Sequence, residues 1–341
     1  MMEGLIELKR LTVINIVDNE TDALSSPCSC MTPTPNISKS TPTNTGTSTG
    51  TGTAAPDNRP CTYTQELVTV LSDHKILNFD YMCHAAHGLS LLLIAEYDEE
   101  ENETETVQEV TKSNDNDTST YAYASVQNAS STVPVPKKRR KSTQLLFDGG
   151  PDPAVWRSNA QKLKIDLPSI DTVVLSHYHV DHSNGLRAAV KDISAARIQS
   201  GHPDPLVVDL HKSKITTRGL KVRGKIYAMK PDNPTIEELG GTMIHTTLNG
   251  KGHLVGNGCF YVSGEIPRKT SFELGIPGHF TGLEDGNWVP DEDVMDERYV
   301  ACKIRGRGIV VFSACSHAGI VNVCNDAVEK LSSNLTGVVG G

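Results

Sequence analysis

A chain of 341 residues, 37% hydrophobic and 21% charged, is long enough to bury a sizeable core, and one large domain over 1–341 is expected once two polar inserts are set aside. No apolar run reaches membrane-spanning length and no charged-then-apolar leader opens the chain, which argues against a membrane partner and makes the cytoplasm the expected compartment. The formal charge is −9, but residues 98–118 alone hold nine acidic residues and one lysine, so the acidity belongs to one segment and says little about a binding site.

The first predicted strand covers 5–17. Residues 25–60 are a Thr/Ser/Pro/Gly-rich tract with too few apolar side chains to offset ordering entropy, and the tract is expected to be disordered. Cys28-Ser29-Cys30 within it has no second ligand pair nearby and reads as linker. The eight cysteines show no repeating framework, which fits reduced thiols. Residues 88–97 and 143–148 read as two strands of a hairpin interrupted by a second disordered insert, 98–142, first acidic and then basic. Its end, Lys137-Lys138-Arg139-Arg140-Lys141, reads as a solvated loop neutralising the acidic part or as an import signal, which makes the nucleus the alternative compartment. With 5% aromatic residues and no basic-aromatic interleaving, nucleic acid is not the expected partner.

Asp148 closes an apolar strand and precedes Gly149-Gly150, a tight turn. Residues 152–163 predict an amphipathic helix, opened by Asp152-Pro153 and carrying Ala154, Trp156, Ala160 and Leu163 on one stripe. The strand 172–175 then runs into Ser176-His177-Tyr178-His179-Val180-Asp181-His182. In extended backbone His177 and His179 point the same way and can grip one ion, while Asp181 and His182 on the next turn can hold a second. Two such ions sharing a water create a hydroxide nucleophile near neutral pH. Imidazole and carboxylate suit zinc, manganese or iron, and the lack of a paired thiolate argues against a structural zinc knot.

A helix is predicted at 185–194, strands at 206–208, 259–262, 299–304 and 308–312, a helix at 322–331 and a last strand at 336–339. Strand pairs alternating with single helices predict an α+β chain with an αββα sandwich. Among the later histidines His317 is best placed to complete a metal site, since it follows a buried-strand pattern and precedes the Ala318-Gly319 turn. His202 and His211 read as surface or structural, His245 and His253 as part of a loop over the site, and His279 as substrate-facing. In Ser263-Gly264-Glu265-Ile266-Pro267-Arg268, Glu265 and Arg268 offer an acid and an anion-binding fork that either clamps a substrate or pins the loop. Asp296-Glu297 reads as capping or orienting.

His-x-His-x-Asp-His after an apolar strand resembles the metal signature of the metallo-β-lactamase fold superfamily. His87-Gly88-Leu89-Ser90, Leu146-Phe147-Asp148-Gly149-Gly150, Ser263 to Arg268 and Cys315-Ser316-His317-Ala318-Gly319-Ile320-Val321-Asn322 are similar to the branch of the dihydropterin-6-methyl-(ribofuranosyl)aminobenzene 5′-phosphate synthases. The resemblance implies an αββα metallo-β-lactamase-like fold. It gives Asp148 the role of supporting the metal loop through hydrogen bonds and adds weight to His317 as a ligand. The metal set becomes His177, His179, Asp181, His182 and His317, with Asp181 and Asp148 as catalytic carboxylates and Glu265, Arg268 and His279 facing the substrate. Branch members continue past a Gly-Gly strand end with Phe-His-Leu and His-Cys-Thr-Gly segments, whereas this sequence stops at Val338-Val339-Gly340-Gly341. An incomplete C-terminal half is therefore expected, with one zinc on His177, His179 and His317 and a second ion held weakly by Asp181 and His182. The expected activity is metal-bound hydroxide attacking an ester, phosphoester or related bond of a small molecule, with phosphorylated substrates among the candidates. The alternatives are a transferase joining a pterin pyrophosphate to an aminobenzene ribotide, and an inactive fold used for binding.

Overall fold

A computed structural model describes residues 4–17, 83–84, 86–100, 138–212, 215, 217–230, 241–246 and 251–340. The tract at 25–60 and most of the insert at 98–142 lie outside the described residues. The chain divides into a large unit, Met1–Tyr97 with Ser142–Gly341, and a small one, Asp98–Lys141.

Three sheets occur among the described residues. The first has the order β2 (Arg10–Val17), β3 (Ser90–Glu100), β4 (Lys138–Phe147), β5 (Thr172–Val174), β6 (Leu206–His211) and β9 (Gly241–Thr246). In it β2 and β3 are antiparallel, and β4, β5, β6 and β9 are parallel. The second runs β10 (His253–Val255), β11 (Phe260–Val262), β14 (Val300–Ile304), β15 (Gly308–Phe312) and β16 (Leu335–Val339), with β1 (Glu7–Leu8) also on β14. The third, smaller sheet has the order β13 (Trp288–Pro290), β12 (His279–Gly282), β7 (Arg218–Val222) and β8 (Lys225–Met229).

Strand alternation sorts the core into layers. Leu92, Leu146 and Val173 face Trp156 and Ala160 of α1 (Pro153–Lys162) and Leu186 and Ile193 of α3 (Leu186–Gln199). Their neighbours Leu91, Leu93, Leu145 and Phe147 face the other way, onto Phe260, Val262, Val300 and Phe312 of the second sheet. That sheet's outer face, with Ala301, Ile309 and Val311, packs on Val323, Ala327 and Leu331 of α4 (Ile320–Leu331). Each fully buried Leu, Val or Phe contributes about 1.5–3 kcal/mol relative to exposure, so the layers carry most of the stability. The result is helix, sheet, sheet, helix, the expected αββα arrangement.

Several boundaries differ from the sequence expectation. The strand expected at 5–17 is two strands: β1 joins the second sheet and β2 the first. The second insert is shorter than 98–142, because β3 runs on to Glu100 and β4 starts at Lys138. Within the small unit Lys141 Nζ stands 3.3 Å from Glu99, a charge pairing that favours strand over loop. The basic run is thus largely the start of β4, and Lys137 lies outside the described residues. The third sheet went unforeseen because its strands are short and half-exposed, with little alternation; Tyr227, for example, is exposed. No helix among the described residues is long and apolar enough to cross a membrane.

Candidate metal centre

Where β4 ends, Asp148 adopts a left-handed backbone, φ 64°, a region that aspartate tolerates better than most residues. This turns its buried carboxylate under the loop that follows β5. Oδ1 accepts from Ser176 N at 2.6 Å, and Oδ2 accepts from Ser176 Oγ at 2.7 Å and faces His182 Nδ1 at 2.8 Å. The loop can lie this close because two glycines meet there. A Cβ on Gly185 would come within 1.9 Å of Gly149 O, and one on Gly149 within 2.3 Å of Leu186 N. A short helix, α2 (Val180–Ser183), carries Asp181 and His182, with His179 at its N-cap.

His177, His179 and His317 converge. His177 Nε2 lies 2.9 Å from His179 Nδ1, and His317 Nε2 lies 3.2 and 3.0 Å from those same two atoms. Hydrogen-bond partners assign the tautomers. Ser176 Oγ gives its one proton to Asp148, so His177 Nδ1–H donates to Ser176 Oγ at 2.9 Å and His177 Nε2 is bare. His279 Nδ1–H donates to the Asp291 carbonyl at 2.8 Å, which leaves His279 Nε2 bare. His179 Nε2–H therefore donates to it across 3.0 Å, and His179 Nδ1 is bare as well. Two lone pairs thus face each other with no proton between them, an arrangement that a cation relieves. Tetrahedral ligands at zinc–nitrogen distance are about 3.3 Å apart, close to this triangle, so the residues fit a divalent ion. Burial and the neighbouring imidazoles hold His177 well below its usual pKa; burial, then the Arg218 charge, pushes His179 down to about 2, and burial, then His182, pushes His317 to about 4. All three are neutral at pH 7, the form that binds metal.

A second group adjoins the first. Asp181 Oδ2 is 3.2 Å from His182 Nε2 and 3.4 Å from His87 Nε2, and His182 Nε2 is 3.0 Å from Cys315 Sγ. Burial alone would raise the Asp181 carboxyl, but the bond and charge of His182 hold it below its usual range. Burial alone would lower His182, but Asp148 and then Cys315 draw it well above its usual value, so a cation and a proton compete for its Nε2. The sequence reading left sulfur out of the centre. The structure brings Cys315 within 4.8 Å of both the three histidines and the Asp181–His182 pair.

Behind the loop, Arg218 donates to Tyr178 O at 3.1 Å and pairs with Asp291 at 2.7 Å and with Asp296. Asp296 also accepts from Tyr178 N at 2.8 Å, and Glu297 accepts from His317 N at 2.7 Å and Ala318 N at 2.6 Å, so this pair orients the loops. Burial pushes Glu297 up to about 7. Arg218 is one of several basic residues in the stretch 212–225 and gave no local signal of its own. Of the residues expected to face substrate, His279 is buried against His179, Arg268 donates to the His317 carbonyl at 3.0 Å, and Glu265 is exposed. His202 binds Arg197 at 2.7 Å. His253, expected in a loop over the site, is on β10 and binds Asp209, and the His245 side chain lies outside the described residues.

Asp209 supplies a pH test. It is fully buried between Arg298, at 2.7 Å, and His253. Burial alone would raise its pKa, but the Arg298 charge and the His253 bond outweigh burial and lower it. A depressed folded-state value gives stability that is present above the unfolded value, near 3.8, and is lost as pH falls through the folded one. The stability gap between the wild type and Asp209→Asn should therefore be widest near neutral pH and close on acidification below about pH 4. Urea midpoints giving a constant gap down to about pH 2 would show that the pair does not titrate this way.

Residues 139–268 match the model of the metallo-beta-lactamase superfamily. The chain is similar to the 7,8-dihydropterin-6-methyl-4-(beta-D-ribofuranosyl)-aminobenzene-5'-phosphate synthase of Methanocaldococcus jannaschii, with 31% identity over 202 residues, covering 58% of this chain and 64% of that protein. It is also similar to the uncharacterized protein MJ0448 of the same organism, with 28% identity over 198 residues, covering 58% of this chain and 67% of that protein. The match thus spans about two thirds of each relative's length. Among solved structures it is similar to that of Tm1679, a metal-dependent hydrolase of the beta-lactamase superfamily, with 22% identity, coverage of 59% of this chain and 68% of that one, and a TM-score of 0.44.

Proposed function

From a chain that carries a metallo-beta-lactamase domain, we propose a metal-dependent enzyme that directs water onto an ester, phosphoester or related bond of a small molecule. The observation that carries this reading is the pair of bare nitrogens, His177 Nε2 and His179 Nδ1, facing each other at 2.9 Å with His317 Nε2 beside them. His177, His179 and His317 hold the ion, with zinc the first candidate and manganese and iron the alternatives. A divalent ion there supplies Lewis acidity and draws the pKa of a coordinated water toward neutrality. The chain's own residues do the rest. Asp148, through Ser176, fixes the His177 tautomer; His279 does the same for His179; and Asp181, partly exposed at the rim, accepts a hydrogen bond from incoming water and orients it. A cavity of about 600 Å³, lined by Glu273, Leu274, Cys315, Ser316, His317 and Ile320 among others, opens beside the cluster and suits a small-molecule substrate.

The similarity to a protein named as a pterin-linked synthase favours a second reading, in which the same centre serves transfer to an amine or carbon acceptor rather than to water. Incorporation of labelled solvent oxygen into product separates the two. The experiment that tests the metal reading is ion analysis of purified chain reconstituted with zinc, manganese and iron in turn. One ion or more per chain is expected in the wild type and a sharp fall in His179→Ala. A wild type that retains none of the three metals overturns the enzyme reading and leaves a binding fold.

A further inference from the structure

We propose that the β7–β8 hairpin docks on an anionic lipid bilayer, with Leu220, Val222 and Tyr227 entering the headgroup region and Lys221, Arg223, Lys225 and Lys230 pairing with lipid phosphates. The inference goes beyond the metal-enzyme reading and stands without it. Residues 211–230 hold seven lysines and arginines and no acidic residue, in a chain whose formal charge is −9. Arg218 is spent behind the metal loop. Lys212, Lys221, Arg223, Lys225 and Lys230 are exposed, and none of them forms an ion pair among the described residues. A surface contact of this kind needs no spanning segment.

The hairpin presents both kinds of side chain together. Arg223 and Gly224 join the strands as a two-residue turn with both residues left-handed, φ 49° and 81°, which leaves no slack at the tip. The register pairs Leu220 with Tyr227 and Val222 with Lys225, so these four share one face, while Lys221 and Ile226 share the other. Leu220, Val222 and Tyr227 are 36%, 44% and 55% exposed, where a solvated sheet face is ordinarily polar. An apolar face edged with cations complements a surface that is both apolar and anionic. Aliphatic side chains reach the acyl boundary, a tyrosine ring rests at headgroup level, and the cations meet phosphate. A nucleic acid fits less well. Its bases need open aromatic platforms, whereas Tyr227 is the one exposed ring on the hairpin and Lys225 Nζ stands 5.4 Å over it. Leu220 and Val222 would have nothing to meet on a phosphodiester. Leu220 is also the cross-strand neighbour of His279, so the docking face begins one strand from the residue that backs His179.

Co-sedimentation of the full chain with lipid vesicles tests the assignment. Binding is expected to phosphatidylcholine vesicles that contain about one third phosphatidylserine and not to phosphatidylcholine alone, and it should fall severalfold as salt rises from about 0.1 to 0.5 M. The triple variant Lys221→Glu, Arg223→Glu, Lys225→Glu should bind about 100-fold more weakly, and Leu220→Ser with Val222→Ser, which leaves every charge in place, about 10-fold more weakly. All five positions are exposed, so the fold should survive, and a melting curve checks it. Arg139→Glu with Arg140→Glu, in the other basic run, should keep most of the binding. Equal binding to both vesicle types, or binding to neither, overturns the proposal on the wild type alone and leaves the metal-enzyme reading untouched. A folded triple variant that binds like the wild type also overturns it, since another surface then holds the lipid. Undiminished binding by the serine pair overturns it too, because charge alone then keeps the chain at the surface. Tighter binding to a single-stranded oligonucleotide than to the vesicles, lost in the same triple variant, overturns the lipid assignment in favour of nucleic acid.

Discussion

Asp148→Ala is expected to lower the unfolding free energy by about 3–5 kcal/mol and to weaken metal binding about 10–100-fold. The carboxylate is fully buried and serves the Ser176 amide, the Ser176 hydroxyl and His182 Nδ1 together. Alanine leaves three donors without an acceptor in a dry interior, which costs more than the lost bonds would in water. It also frees the tautomer of His177, which loses the serine whose proton is committed elsewhere, and leaves His182 Nδ1 without the carboxylate that orients its ring toward Asp181 and Cys315. Asp148→Asn, of nearly the same shape, keeps an oxygen for the Ser176 amide and should recover part of the stability and little of the affinity. Zinc affinity measured by chelator competition, alongside denaturant unfolding of the metal-free chain, separates the two effects. An alanine variant with wild-type zinc affinity would remove Asp148 from the centre altogether.

Arg298→Met is the second large effect, a loss of about 3–5 kcal/mol from a buried pair broken on one side. Arg298 and Asp209 are both inaccessible to solvent, and the guanidinium also donates to the carbonyls of Leu175, at 2.6 Å, and Asp209, at 3.1 Å. Methionine fills the volume but removes the guanidinium charge that balances the buried Asp209 carboxylate. The melting temperature should drop by roughly 10 °C, at a few degrees per kcal/mol for a chain of this size. The double variant Arg298→Met with Asp209→Leu removes both charges and should recover much of the loss, as apolar replacement of a whole buried pair often does. A single variant melting within a degree or two of wild type would show that the pair contributes nothing net.

The layers and the histidines that cluster after β5 were legible because they leave local traces. The unbroken apolar run Leu91 to Ala95, Asp152 ahead of Pro153, and a tight run of histidines after an apolar strand all carry information within a few residues. Cys315 carried a weaker trace, its place two residues before His317 in the Cys315-Ser316-His317 segment, and a thiol without a partner thiol reads as inert. Arg218 and His279 left none, since what gives them meaning is a small exposed sheet that sets them behind His179. His279 was read as facing substrate because a loop histidine after glycine has no visible reason to be buried. Its reason is the Asp291 carbonyl just past the end of the neighbouring strand β13, twelve residues later. The start of β4 was misread for the complementary reason, that five basic residues look like a loop until the acidic strand beside them is known.

The division of residues 5–17 between two sheets bears on how the molecule is made. β2 pairs with β3, and all the strands of the first sheet lie before residue 247, so that sheet can assemble while the chain is still being synthesised. β1 has no such option. Its partners are Lys303 and Ile304, and at about 5–20 residues per second the ribosome delivers them roughly 15–60 s after β1 itself. For that interval the beginning of the chain is tethered to a growing sheet through β2 while β1 presents unpaired amides and carbonyls, the surface that chaperones and neighbouring nascent chains recognise. Closure then joins Glu7 and Leu8 to Lys303 and Ile304 across most of the sequence, the kind of long-range contact that slows folding. Among the last hydrogen bonds this chain forms are those of its first strand.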